Sequence, residues 1–234
     1  MALEPVRYSH AGHDLTGWLA RPAGSPRAAV VVFPTIANIN AAVERRAVML
    51  AGLGYLAMVA DFYGKATSDP EMVRTLADQL RSNVSLYRGR IAAALGALRG
   101  LPEAAGLPML VTGYCMGGQA ALEAARDGHD LLAAVSFHGI LSTDRPAQPH
   151  AVKARLLVCH GDADPLVPRE QVLAFWEEMD AAGADWHFHT YSQVRHGFTD
   201  PGSDARGFDA VKYNASADRQ SWAAMVSLFA EVLA

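Results

Sequence analysis

The stretch that decides the fold is Met109-Leu110-Val111-Thr112-Gly113-Tyr114-Cys115-Met116-Gly117-Gly118. A run of apolar and β-branched residues leads to Gly113, and Cys115 follows two places on. Two more glycines precede Gln119-Ala120-Ala121-Leu122-Glu123-Ala124-Ala125, a good helix former. The order reads as strand, sharp turn, helix, with Cys115 at the apex. It is the Gly-x-Ser-x-Gly nucleophile elbow with cysteine in the serine position. In a turn this tight, a Cβ at Gly113 or Gly117 would clash with neighbouring backbone. The turn also sets the thiol at a helix N-terminus, where free N–H groups and the helix dipole favour a thiolate. Taken alone, the stretch also fits a buried cysteine in a glycine-rich turn, since free cysteine is a common core residue. A base and its orienting acid elsewhere in the chain are what separate the two readings.

Working outward, strands alternate with helices. Residues 6–10 and 15–20 flank Ala11-Gly12-His13-Asp14 and read as an antiparallel hairpin. Residues 28–33 are continuously apolar, as a strand buried on both faces should be. A helix is expected over 41–53, a strand over 55–60, and helices over 70–80 and 82–98. After the central strand (109–112) and elbow come strands over 131–137 and 154–158, a helix over 169–181 and a strand over 185–191. A polar loop (142–150) and a long polar loop (199–216) interrupt the pattern, and an amphipathic helix over 217–233 closes the chain. The expected architecture is a single α/β domain spanning 1–234, with a mostly parallel sheet covered by helices on both faces. Ligands of such sheets sit beyond the carboxyl ends of the strands.

Bulk properties narrow the function. The chain has 234 residues, 51% hydrophobic and 19% charged, with a formal net charge of −4. No basic run occurs, which disfavours nucleic acid and anionic membrane surfaces as partners. No stretch approaches the roughly 18 apolar residues of a membrane span. Residues 1–10 carry no apolar targeting core. Cys115 and Cys159 are too few for a disulfide framework or a cysteine-rich zinc site. A cytoplasmic protein with reduced thiols, a monomer or small homo-oligomer, is the expectation.

Acid and base are therefore sought at strand ends. Asp164 lies in Gly161-Asp162-Ala163-Asp164-Pro165-Leu166-Val167-Pro168, and His196 in Arg195-His196-Gly197-Phe198. Asp162 competes with Asp164 for the acid's role, being nearer the strand. The chain order Cys115, acid, His196 is that of the α/β-hydrolase fold and differs from other triad orders. Charge developing on an attacked carbonyl needs preplaced N–H donors. The backbone of Met116, after the nucleophile, and of Ile36, in the loop after strand 28–33, are the expected pair.

These residues resemble the dienelactone hydrolase family of α/β-hydrolases. The resemblance covers essentially the whole chain and rests on the Gly113–Gly118 elbow, Asp164-x-x-Val167-Pro168, His196-Gly197-Phe198 and Asp61-Phe62-Tyr63. It implies a carboxymethylenebutenolidase-like hydrolase of small esters or lactones, working without cofactor or metal. Cys115 would be the nucleophile, His196 the base and then acid, and Asp164 the carboxylate that orients the imidazole. Two positions depart from the family pattern. Thr35 stands where type members carry a glutamate that controls the cysteine's charge. Asp200 stands where an arginine holds the substrate carboxylate, and Arg74, Arg81 or Arg195 would have to replace it. Without the glutamate, Cys115 is expected to rest partly as a thiolate paired with a protonated His196.

Thr35, Phe62, Tyr63, His138 and Phe198 are candidate pocket residues because they end or follow strands on the expected active edge. His138 equally fits a ring bonded to backbone. His187 and His189 share one strand face but lack a third ligand, and Cys159 ends a buried run. Other readings are a thioesterase or acyltransferase using the same cysteine, and a non-catalytic reactive-thiol sensor.

Overall fold

The computed structural model describes residues 3–65 and 69–234, so the first two residues of the N-terminal segment read above lie outside it. Among the described residues eight strands form one sheet: β1 Glu4–His10, β2 His13–Ala20, β3 Ala29–Phe33, β4 Leu56–Val59, β5 Met109–Tyr114, β6 Ala133–Phe137, β7 Arg155–Gly161 and β8 Trp186–Tyr191. Their order is β1-β2-β4-β3-β5-β6-β7-β8. β1 and β2 are antiparallel to each other, β2 is antiparallel to β4, and every other pairing is parallel. The hairpin turns through Ala11 and Gly12, both at positive φ (50° and 76°), the two-residue geometry that matches strand twist. This is the mostly parallel, helix-covered sheet that the alternating pattern predicts, in the α/β-hydrolase arrangement that the family resemblance implies.

Among the described residues six helices cover the sheet: α1 Ala41–Gly52, α2 Pro70–Arg81, α3 Val84–Arg99, α4 Met116–Arg126, α5 Arg169–Ala181 and α6 Ala215–Val232. Two cores result. Val43, Ala47 and Leu50 of α1 pack with Met225 and Phe229 of α6 against one face. Tyr87, Ile91 and Leu95 of α3, Ala120 and Ala121 of α4 and Phe175 of α5 pack against the other. β3 and β5 are buried on both faces, the physical meaning of their unbroken apolar runs.

Differences from the sequence reading have local causes. α6 begins two residues earlier than expected because the Asn214 side chain caps it, accepting the Ala217 N–H. Asn83 likewise caps α3 and separates it from α2. β7 continues to Gly161, and the long polar loop contains a single 3-10 turn over Ser203–Arg206.

Periodicity gave no hint of a buried ionic cluster on the second face. The Arg88 guanidinium meets Glu123 at 2.8 Å, and Arg126 meets Glu123 at 2.9 Å and Glu178 at 2.8 Å. Arg126 also donates to the Leu141 carbonyl at 2.6 Å, and Glu178 accepts the Ala147 N–H at 2.9 Å. The cluster ties α3, α4 and α5 to the loop after β6. Its charges are paired and hydrogen-bonded, the condition under which burial is tolerated.

Candidate active site

Cys115 sits between β5 and α4 at φ 56° and ψ −118°, a backbone conformation rare for a residue with a side chain. Glycine makes the turn possible. A Cβ on Gly113 would lie 1.8 Å from the Gly117 carbonyl oxygen, and one on Gly117 would lie 2.0 Å from that of Phe33. The elbow is therefore pressed against β3, whose following loop carries Ile36.

Asp164 follows β7, and His196 follows β8. The two loops touch because Gly161 has no side chain: a Cβ there would lie 2.4 Å from the Val194 carbonyl oxygen. Ala163 N–H donates to that carbonyl at 2.9 Å. His196 Nδ1 lies 2.7 Å from Asp164 Oδ2, while Asp164 Oδ1 accepts the Leu166 N–H at 2.8 Å. Both residues are buried, at 2% and 3% exposure. Asp162 is paired instead with Arg169 at 2.8 Å, so of the two aspartates Asp164 is the one in contact with the imidazole. The polar loop folds back to hold His196, whose N–H donates to the Ala210 carbonyl and whose carbonyl accepts the Lys212 N–H.

His196 Nε2 makes no regular hydrogen bond among the described residues, and the Cys115 thiol couples to the same ring. Burial by itself would raise the thiol's pKa. The charge and hydrogen bond of His196, with the amides of Met116 and Ile36, outweigh burial and hold Cys115 below its ordinary value. Burial would lower His196, but the Cys115 charge and the Asp164 carboxylate raise it to about 10. Both directions favour a thiolate–imidazolium pair. The amides of Met116 and Ile36 thus both act on the charge of the sulfur.

Two tyrosines steady these amide-bearing residues. Tyr63 Oη donates to the Ile36 carbonyl at 3.1 Å, and Tyr87 Oη to the Met116 carbonyl at 2.7 Å. Tyr87 was absent from the sequence reading, since a tyrosine inside an apolar helix face carries no local sign of a polar contact. Asp61 is a second structural anchor. Its carboxylate accepts the N–H groups of Thr16, Tyr63 and Gly64 and the Asn38 amide, all within 2.8–2.9 Å. Thr35 completes the Ile36 loop: its hydroxyl accepts from Ala37 N–H and Asn40 Nδ2, both at 3.2 Å.

Of the remaining candidates, Phe62 and Phe198 are fully packed, Phe62 among Phe33, Tyr63 and Tyr87 and Phe198 against His138 and Tyr191. His138 is buried between the elbow and the histidine loop. Tyr63 borders a cavity of about 820 Å³ lined also by Trp18, Asn38, Ile39, Val48 and Val73. Cys115, Asp164 and His196 do not line that cavity.

Among the arginines, Arg195 is bound to Asp209 and Arg74 is exposed. Arg81 makes no side-chain hydrogen bond or ion pair among the described residues, and its Nε is buried. Its charge reaches Tyr63 and Tyr87, partly offsetting the rise that burial gives their hydroxyls. Asp200, in the family's arginine position, is paired with Arg206.

Residues 15–233 match the profile of the dienelactone hydrolase family. The chain belongs to the dienelactone hydrolase family. As a member it is a hydrolase of ester bonds. A solved family structure described as m3DLH is 36% identical, with a TM-score of 0.92 over 99% of this chain and 98% of that one. A dienelactone hydrolase-like promiscuous phosphotriesterase, P91, from metagenomic libraries is 34% identical, with a TM-score of 0.94 over the same shares. The carboxymethylenebutenolidase of Pseudomonas putida is 27% identical over 198 residues, 81% of this chain and 83% of that protein. No helix among the described residues is long and apolar enough to cross a membrane.

Proposed function

We propose that this dienelactone hydrolase family member cleaves small carboxylic esters and lactones through an acyl-Cys115 intermediate. The observation that carries the reading is the buried His196–Asp164 contact at 2.7 Å, with the Cys115 thiol held below its ordinary value by His196 and by the amides of Met116 and Ile36. The Cys115 thiolate attacks the ester carbonyl carbon and forms the C–S bond. The carbonyl oxygen takes the negative charge and moves into the Met116 and Ile36 amides, which the sulfur vacates as it bonds to carbon. The C–O bond then breaks, and His196 gives its Nε2 proton to the leaving alkoxide. Water attacks the thioester, His196 takes the water's proton, and the thiolate leaves with the carboxylic acid as product. Asp164 holds Nδ1–H throughout, so Nε2 is the atom that exchanges protons. A thiolate is a good leaving group, which suits activated esters and enol lactones better than amides.

Arg81 supports a substrate bearing a carboxylate, in keeping with the activity for which the Pseudomonas putida relative is described. Its charge is felt at Tyr63 and Tyr87, and it has no side-chain partner among the described residues. The Asp200 charge is met by Arg206.

A panel of p-nitrophenyl acetate and small enol lactones, with and without a carboxylate, tests the proposal on wild type, Cys115→Ala and Arg81→Gln. Cys115→Ala should lose about 10³-fold or more of turnover while keeping its fold. Arg81→Gln should raise KM for the carboxylate-bearing lactone alone. Turnover that survives in Cys115→Ala sinks the acyl-cysteine route. Transfer to added thiols outpacing hydrolysis identifies an acyltransferase, and a stoichiometric burst without turnover identifies a thiol sensor.

A further inference from the structure

We propose that His138 is a positioning residue that locks the Cys115 turn to the loop carrying His196, using both nitrogens of one imidazole. The inference rests on the Cys115–His196–Asp164 reading. The Cys115 backbone N–H is shared between the Phe137 carbonyl at 3.0 Å and Nδ1 of His138 at 3.1 Å, so Nδ1 faces it as an acceptor and carries no proton. The proton is then on Nε2, which lies 2.8 Å from the Thr199 hydroxyl and donates to it. Thr199 follows His196 closely in the same loop. One ring thus bridges the nucleophile's own backbone to the segment that supplies its base, across two distant parts of the chain.

Three further observations agree. The His138 ring stands edge-on to His196, with centroids 5.0 Å apart at 64°, and edge-on to Phe198 at 5.1 Å and 77°. It limits how far either ring can tilt. His138 has φ 40°, the left-handed region, where glycine is relaxed and a residue with a side chain is strained. Strain kept at such a position points to a task for the side chain. The far end of the bridge is anchored as well: Arg46 donates to the Thr199 carbonyl at 3.0 Å and is ion-paired with Asp218 of α6.

The two histidines then divide the work. A proton on Nδ1 of His138 would confront the Cys115 N–H. Burial first, then the charge of His196 and those of Arg46 and Arg206, hold His138 well below the ordinary histidine range. His196 is held in the opposite direction. Neighbouring groups driven apart in this way take different roles, one carrying protons and one staying fixed.

The test compares wild type with His138→Phe, His138→Asn and Thr199→Val. Each is assayed for kcat and KM on an activated ester and for the pH midpoint of Cys115 alkylation by iodoacetamide. Phenylalanine fills the space without either bond. Asparagine keeps an acceptor near the Nδ1 position. His138→Phe should lose about 10–100-fold in kcat, the scale of small misplacements of reacting groups, with KM within about 3-fold. Its alkylation midpoint should move up as the thiol loses register with His196. His138→Asn should recover part of both, and Thr199→Val should be less than additive with His138→Phe. If His138→Phe does not fold, His138→Asn and Thr199→Val carry the test, with smaller losses and the same upward shift expected. Folded variants with wild-type kcat and an unchanged thiol midpoint overturn the assignment. So does a lost kcat with an unmoved midpoint, which marks a structural role only. Turnover surviving in Cys115→Ala would instead bring down the triad reading on which this one stands.

Discussion

Replacing Asp164 by asparagine probes the relay most directly, because Asp164 has two occupied oxygens. Oδ2 faces His196 Nδ1 at 2.7 Å, and Oδ1 accepts the Leu166 N–H at 2.8 Å. An asparagine has one acceptor and one donor, so it cannot satisfy both N–H groups. If its oxygen stays with Leu166, its amide points at Nδ1 and forces the proton onto Nε2. The imidazole then faces the thiol as a donor and cannot serve as base. In another triad enzyme this wrong tautomer costs about 10⁴-fold in kcat. If the amide flips, Nδ1–H is satisfied but the Leu166 N–H meets another donor. An unsatisfied buried donor costs about 1–3 kcal/mol, or roughly 5–150-fold. Either arrangement also removes the negative charge that helps hold His196 at about 10. We expect kcat/KM for p-nitrophenyl acetate to fall by about 5-fold to 10⁴-fold, with the far-UV circular dichroism unchanged. A folded Asp164→Asn enzyme within about 3-fold of wild type from pH 6 to 9 would refute the argument, since either orientation loses one of the two Asp164 bonds and the carboxylate's charge.

Four other outcomes follow from the geometry. Cys115 alkylation should rise with pH through a midpoint below the ordinary 9.0, since the lowered pKa preserves thiolate as pH falls; in His196→Gln the midpoint should move up, because burial then acts with less opposition. Gly117→Ala should lose its fold or most of its activity, because the added Cβ would lie 2.0 Å from the Phe33 carbonyl oxygen; circular dichroism and the ester assay read this. Arg126→Met leaves Glu178, half-buried, without its cation and buried Glu123 with Arg88 alone, costing about 1–3 kcal/mol and lowering Tm by about 2–12 °C in a thermal melt. Tyr87→Phe deletes the bond to the Met116 carbonyl, so it should cost about 1 kcal/mol in urea unfolding and lower kcat several-fold.

Much of the molecule was legible before any coordinates. Unbroken apolar runs marked the buried parallel strands, and alternation marked the hairpin and covering helices, because burial on one or two faces acts residue by residue. The elbow was legible because its glycines answer a steric demand from atoms only a few residues away or in one neighbouring strand. The Asn214 cap moved a helix boundary by two residues, a competition too fine for periodicity. The buried Arg88–Glu123–Arg126–Glu178 cluster was invisible, since charged residues read as a solvated surface until partners from other helices meet them.

The amino-acid sequence alone determined the layered architecture, the apex position of Cys115 and the chain order of cysteine, aspartate and histidine at strand ends. Those properties follow from local chain sterics and from hydrophobic spacing along single elements. Only the tertiary structure decided that Asp164 rather than Asp162 meets the imidazole, that Arg81 has no side-chain partner among the described residues, and that His138 touches both the elbow and the histidine loop. Such contacts depend on how separate loops pack at one edge of the sheet, and a distance of a few ångströms between chain-remote atoms leaves no pattern in the order of residues.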